Sequence, residues 1–161
     1  MRKLNPDEIQ ALSRQIRHRL GSSRLPVSVV LDNIRSLHNV GSIFRTCDAA
    51  RVEQLLLTGI TGRPPRREID KTALGAVESV PWRYFPSAGE TLTRLKQQGY
   101  TVYILEQTNQ SLPFYKVNFQ FPAALVVGNE VFGVDEQLLP LADQCVDIPM
   151  FGEKHSLNVS V

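Results

Sequence analysis

Little in this sequence points to metal, disulfide or membrane chemistry. Its 161 residues include two cysteines, Cys47 and Cys145, which lie far apart and form no metal-ligand pattern. A disulfide framework is therefore not expected, and the pair reads as reduced thiols of a cytoplasmic protein. The three histidines, His18, His38 and His155, are scattered along the chain, so no metal site is expected. No apolar run approaches membrane-span length, and the N-terminus has no hydrophobic signal core, so neither insertion nor secretion is expected. Internal repeats and low-complexity tracts are missing. So are the Gly-x-Gly-x-x-Gly opening of a dinucleotide fold and a phosphate loop. Charge of one sign is also scarce: 18 basic against 16 acidic residues leave a net charge of +2. The balance says little about nucleic acid, and the distribution of charge must decide.

What is present suits one globular domain with a substantial core, since 42% of the residues are hydrophobic. Residues 1–24 read as a basic helical extension and 25–161 as the main domain. In the extension, Asn5 caps a helix over 5–20, Pro6 occupies its first position, and Asp7 and Glu8 complement the dipole. Ile9, Leu12, Ile16 and Leu20 share one face. Arg14 and Arg17 lie on the other, either as a solvated face of a docked helix or as contacts to phosphates. A second basic cluster, Arg63, Arg66 and Arg67 with Lys71, falls in and after a Gly/Pro-rich loop at 59–67. Two such patches on one small domain favour RNA as a partner.

Apolar, partly β-branched runs at 27–31, 55–58, 80–85, 100–105, 123–127 and 145–148 read as strands, separated by helices over 40–51, near 92–98 and at 135–139. This alternation predicts an α/β domain with a mainly parallel sheet and helices on both faces. Ligands of such sheets bind beyond the carboxyl ends of the strands, and the loops at 106–111, 128–133 and 149–155 all follow strands and qualify. Three stretches are expected to converge there: His38–Thr46, Leu125–Val134 and Val146–Val161. In the last, a strand reaches Ile148, Pro149 stops its ladder, and a helix is expected to begin near Ser156. Strand, glycine loop and helix N-terminus form a place for a small polar ligand against backbone amides.

The segments Asn39-Val-Gly-Ser-Ile-Phe-Arg45-Thr, Val127-Gly-Asn-Glu130-Val-Phe-Gly133-Val and Ile148-Pro-Met…Ser156-Leu-Asn158-Val-Ser, with Lys71-Thr-Ala-Leu-Gly-Ala76, resemble the TrmH-like (SpoU) branch of the SPOUT superfamily of RNA methyltransferases. The match runs from about residue 27 to 161, in order and in spacing. The resemblance implies a C-terminal trefoil knot, S-adenosylmethionine (AdoMet) bound by the knot loops, methyl transfer to a ribose 2′-hydroxyl of tRNA or rRNA without a metal, and a homodimer whose partner completes the RNA site. It also implies cofactor contacts at Leu105, Thr108, Val127, Gly128, Asn129, Gly133, Ile148, Met150 and Leu157, and catalytic roles for Asn39, Arg45, Glu130, Ser156 and Asn158.

A guanidinium holds its proton tightly and is a poor proton acceptor at neutral pH. Arg45 is therefore expected to grip a phosphate and steady the developing alkoxide, against the alternative of a purely structural pairing. Asn39 reads equally as a helix cap. Glu130 either orients Arg45 or holds loop amides, and Ser156 and Asn158 either cap the terminal helix or hydrogen-bond ribose and phosphate. The family normally continues past this motif with an apolar helix that packs the knot, whereas this sequence ends at Val161. Its C-terminal helix is expected to be truncated, which keeps open an alternative: a catalytically impaired RNA-binding module.

Overall fold

The computed structural model describes residues 1–161. Seven strands form the sheet: β1 (Leu25–Asp32), β2 (Val52–Thr58), β3 (Trp82–Phe85), β4 (Thr101–Leu105), β5 (Leu112–Pro113), β6 (Ala123–Val127) and β7 (Gln144–Asp147). Their order is β3-β2-β1-β6-β4-β7-β5, and every neighbouring pair is parallel. The helices are α1 (Pro6–Leu20), α2 (Leu37–Ala50), α3 (Arg67–Ala73), α4 (Ala76–Ser79) and α5 (Ala88–Gln97).

Side chains of β1 alternate between two layers, as a period of two requires. Val29 and Leu31 join Phe44, Ile34 and Ile69 under α2, α3 and α4, while Val30 joins Leu92, Leu95 and Val126 under α5. Both layers are fully enclosed at their centres, and each large side chain buried there contributes roughly 1.5–3 kcal/mol. The helices thus cover both faces, as the alternation predicts. No helix is long and apolar enough to cross a membrane.

Several elements depart from expectation. α2 begins at Leu37, because the Ser36 hydroxyl accepts from the Asn39 amide at 3.3 Å and takes the cap. Asn39 is therefore inside the helix, and its side chain is free for another use. α3 opens within what reads as a loop. It crosses α2 at Gly41, where an added Cβ would collide with the Ile69 carbonyl and the Thr72 hydroxyl. Thr72 also donates to the His38 carbonyl at 2.9 Å, tying the two helices together. The short helix near 135 is a 3-10 helix over Glu136–Leu141 containing Pro140.

No helix begins at Ser156. Residues 148–161 form only turns, with the Asn158 carboxamide oxygen accepting from the Ser160 amide at 2.9 Å and its hydroxyl at 2.7 Å. α1 is capped by Asn5 as predicted, in a capping box with Glu8 that the sequence reading did not include, but it buries nothing. Its face of Ile9, Leu12, Ile16 and Leu20 stays about half exposed (47–52%), so the helix is not docked within the chain.

Candidate active site

Beyond the carboxyl ends of β4, β6 and β7 lies a cleft of about 590 Å³, within the usual span of small-ligand sites. Its floor is the loop after β6. There Asn129 and Gly133 exchange two backbone hydrogen bonds of 2.9 Å, while the Asn129 side chain accepts from the amides of Val131 and Phe132. Asn129 Nδ2 donates to the Asn33 carbonyl at 2.7 Å, fastening this loop to the end of β1. Gly133 has a φ of +73°, which side-chain-bearing residues rarely adopt. Gly128 faces the same turn: a Cβ there would lie 2.5 Å from the Gly133 oxygen and closer still to the Val134 nitrogen.

Glu106, at the end of β4, closes the floor from the other side. Its two oxygens accept from the Val134 amide and the Gln107 amide, each at 2.9 Å. Gln107 in turn donates to the His155 carbonyl at 2.7 Å, holding the C-terminal stretch across the cleft.

Glu130 binds the first motif to the second. One carboxylate oxygen accepts from the Arg35 amide at 2.9 Å. The other accepts from the Ser36 amide at 3.0 Å and from Asn39 Nδ2 at 2.8 Å. Burial alone would raise its pKa; the hydrogen bonds from Arg35, Asn39 and Ser36 outweigh it, and the carboxyl titrates below its ordinary value. A folded-state pKa below the unfolded one gives stability that is present above the ordinary glutamate range, near 4.3, and is lost as pH falls through the depressed value. Thermal melts from pH 7 to pH 2 should show Glu130→Gln lacking this acid-limb loss. At such exposure the increment is at most about 1 kcal/mol, and superimposable pH profiles for the two proteins would contradict the clamp.

Of the residues named from sequence, Leu105, Val127, Gly128, Asn129, Gly133, Ile148, Met150 and Leu157 line the cleft, with Glu130, Ser156 and Asn158. Thr108 does not; its hydroxyl and amide serve the turn to Ser111. Asn39 reaches the site through Glu130. Arg45 is the main departure, because it makes no hydrogen bond or ion pair with Glu130 and lines a separate depression of about 490 Å³ with Ser42, Thr46 and Lys71. Within one chain the three motifs therefore meet only in part.

Among the basic residues, Arg66 and Arg67 are exposed at the start of α3, and Arg63 stacks on Tyr84 at 4.2 Å. Arg14 donates to Gln10 within α1. Glu106 and Gln107, in a loop that qualifies from sequence, and Asp147, which does not, also line the cleft. The position of the first two, directly after a buried strand, is the signal that marks them. No cluster of His, Cys, Asp and Glu could hold a metal ion. Cys47 is buried, with its thiol pushed up to about 12, and is inert as a nucleophile.

A parallel α/β sheet with a glycine-floored cleft beyond its carboxyl edge is the arrangement of an α/β small-ligand-binding protein, and a separate depression carries Arg45 and Lys71. Residues 26–161 match the model of the SpoU rRNA Methylase family, and the chain belongs to that family. It is 35% identical over 155 residues to tRNA (guanosine(18)-2′-O)-methyltransferase of Thermus thermophilus, covering 96% of this chain and 79% of the relative. The crystal structure of the A. aeolicus TrmH/SpoU tRNA modifying enzyme superposes with a TM-score of 0.80 at 29% identity, over 94% of this chain and 77% of that one. An AdoMet-bound rRNA methyltransferase from Sinorhizobium meliloti superposes with a TM-score of 0.76 at 27% identity, over 86% of this chain and 56% of that one.

Proposed function

We propose that this chain transfers a methyl group from AdoMet to a ribose 2′-hydroxyl of tRNA or rRNA. The observation that carries this reading is the cleft itself, where the second and third motifs meet over a glycine floor. Its residues fit the cofactor. Gly128 and Gly133 leave backbone accessible without a Cβ in the way, the apolar side chains of Leu105, Ile148, Met150 and Leu157 suit an adenine and a thioether, and the volume suits a nucleoside with an amino-acid tail. When bound, AdoMet supplies an electrophilic methyl on a sulfonium, and no metal is required.

The protein's own task is then alignment and charge stabilisation. Glu130 has every oxygen committed to an amide and is held as the anion, so it positions the 35–39 segment and accepts no proton from substrate. Arg45 brings a planar guanidinium fork to the phosphate and steadies the developing alkoxide. Asn39 fixes Glu130, and Ser156 and Asn158, exposed beside the cleft, bind ribose and phosphate.

Because Arg45 lies outside the cleft of its own chain, the reading includes a homodimer in which Arg45 of one subunit serves the cleft of the other. It also includes a trefoil knot formed by the last segment, supported by the clasp between Gln107 and the His155 carbonyl and by Val159 packing on the core. Residues 25–161 act as the catalytic domain and 1–24 as a basic helical extension, in a cytoplasmic setting where both RNAs are met.

The test is transfer of labelled methyl from AdoMet to unmodified tRNA and to rRNA. Label recovered in alkali-resistant dinucleotides is the expected outcome, since a 2′-O-methyl blocks cleavage at that position. Label confined to bases, or no transfer to either RNA, would sink the reading.

A further inference from the structure

Arg45 is not alone in its depression. Lys71 enters from α3, and the two cations share the concavity with the side chains of Ser42 and Thr46 and with no carboxylate. The ion pairs of the chain, Arg2–Glu8, Arg94–Glu90 and Lys96–Asp143, use neither of them. Two unpaired cations converging on a hollow repel one another unless an anion lies between them.

The convergence is built into the fold. Gly41 sits one helical turn before Arg45 on the same face of α2, and only a glycine there lets α3 approach so closely, since a Cβ would strike Ile69 and Thr72. Thr72, bonded to the His38 carbonyl, pins α3 at the residue next to Lys71. The helix contact that sets the spacing of the two cations is thus fixed by backbone, not by long flexible side chains.

We propose that this depression is a phosphate subsite in which Lys71 and Arg45 grip one phosphodiester of the RNA together. The proposal rests on the reading of the chain as an RNA methyltransferase and adds Lys71 as a substrate-positioning residue. Lys contributes a compact charge and Arg a planar fork, a combination suited to holding one phosphate from two sides. The subsite shares no residue with the cofactor cleft of its own chain, so its loss acts on RNA and leaves the donor untouched.

RNA binding by the full chain, measured across a salt series, tests the subsite separately from methyl transfer. Lys71→Ala is expected to weaken binding about tenfold and to reduce the slope of log affinity against log salt by about one. Lys71→Arg should restore most of the binding, and AdoMet affinity should not move. A surface lysine elsewhere, changed as Lys116→Ala, should leave binding within about twofold.

Arg45→Ala combined with Lys71→Ala should lose less than the product of the two single losses, because both grip one group. Unchanged binding in Lys71→Ala would overturn the subsite while leaving methyl transfer standing. A fully multiplicative double variant, an equal loss in Lys116→Ala, or a wild-type chain that binds no RNA would overturn it too.

Discussion

Replacing Gly128 with alanine should lower AdoMet affinity by about a hundredfold or more and cost about 1–3 kcal/mol of stability. The new Cβ would press into main chain, at the Val134 nitrogen and the Gly133 carbonyl, and not into a side chain able to rotate away. Relief requires the Asn129–Gly133 turn to open, and that turn also carries the amides held by Glu106 and Asn129. Calorimetric titration with AdoMet, paired with thermal melts, separates the loss of the cleft from the loss of the fold. Gly152→Ala is the matched control, since a Cβ at Gly152 meets nothing within 4 Å. Equal AdoMet affinity in Gly128→Ala and wild type would show that the glycine floor is not part of the cofactor site.

Arg45→Ala should slow single-turnover methyl transfer by about a hundred- to a thousandfold while AdoMet affinity stays within about twofold. Arg45→Lys keeps the charge but loses the fork, so its rate should fall in between. The geometry adds a sharper expectation. Since Arg45 opens into a different depression from the cleft, chains lacking Arg45 and chains lacking Gly128 should complement one another. An equal mixture places half the dimers in the mixed state, each with one intact site, and should recover about a quarter of wild-type activity. A mixture as inactive as its parts would confine the reaction to one chain and remove the cross-subunit role of Arg45.

The central strands were legible because β1 and β6 are buried on both faces, so their sequences are nearly continuous apolar runs. The glycines of the cleft were legible for a related reason: a strand end followed by Gly-Asn and a later Gly marks backbone that must turn tightly. The residues that miss expectation depend on tertiary partners. Ser36 and Asn39 are both good caps, and the choice falls to Ser36 because Glu130, 91 residues away from Asn39 in the chain, claims the Asn39 side chain. Glu106 reads only as a polar turn residue in a candidate ligand loop until the Val134 amide, 28 residues on, is brought to it. The direction in which α2 aims Arg45 follows from its packing on α3 through Gly41, which no local pattern encodes. The apolar stripe of α1 was read correctly as a helix face, yet within one chain it meets nothing.

Titration of the chain with AdoMet tests the central claim most directly, because that claim concerns one cleft and one small molecule. Micromolar dissociation, equivalent to about −8 kcal/mol, at one site per chain, and its loss in Gly128→Ala, is the predicted result. No detectable heat up to millimolar AdoMet, from a chain whose melting curve shows it folded, would contradict the account.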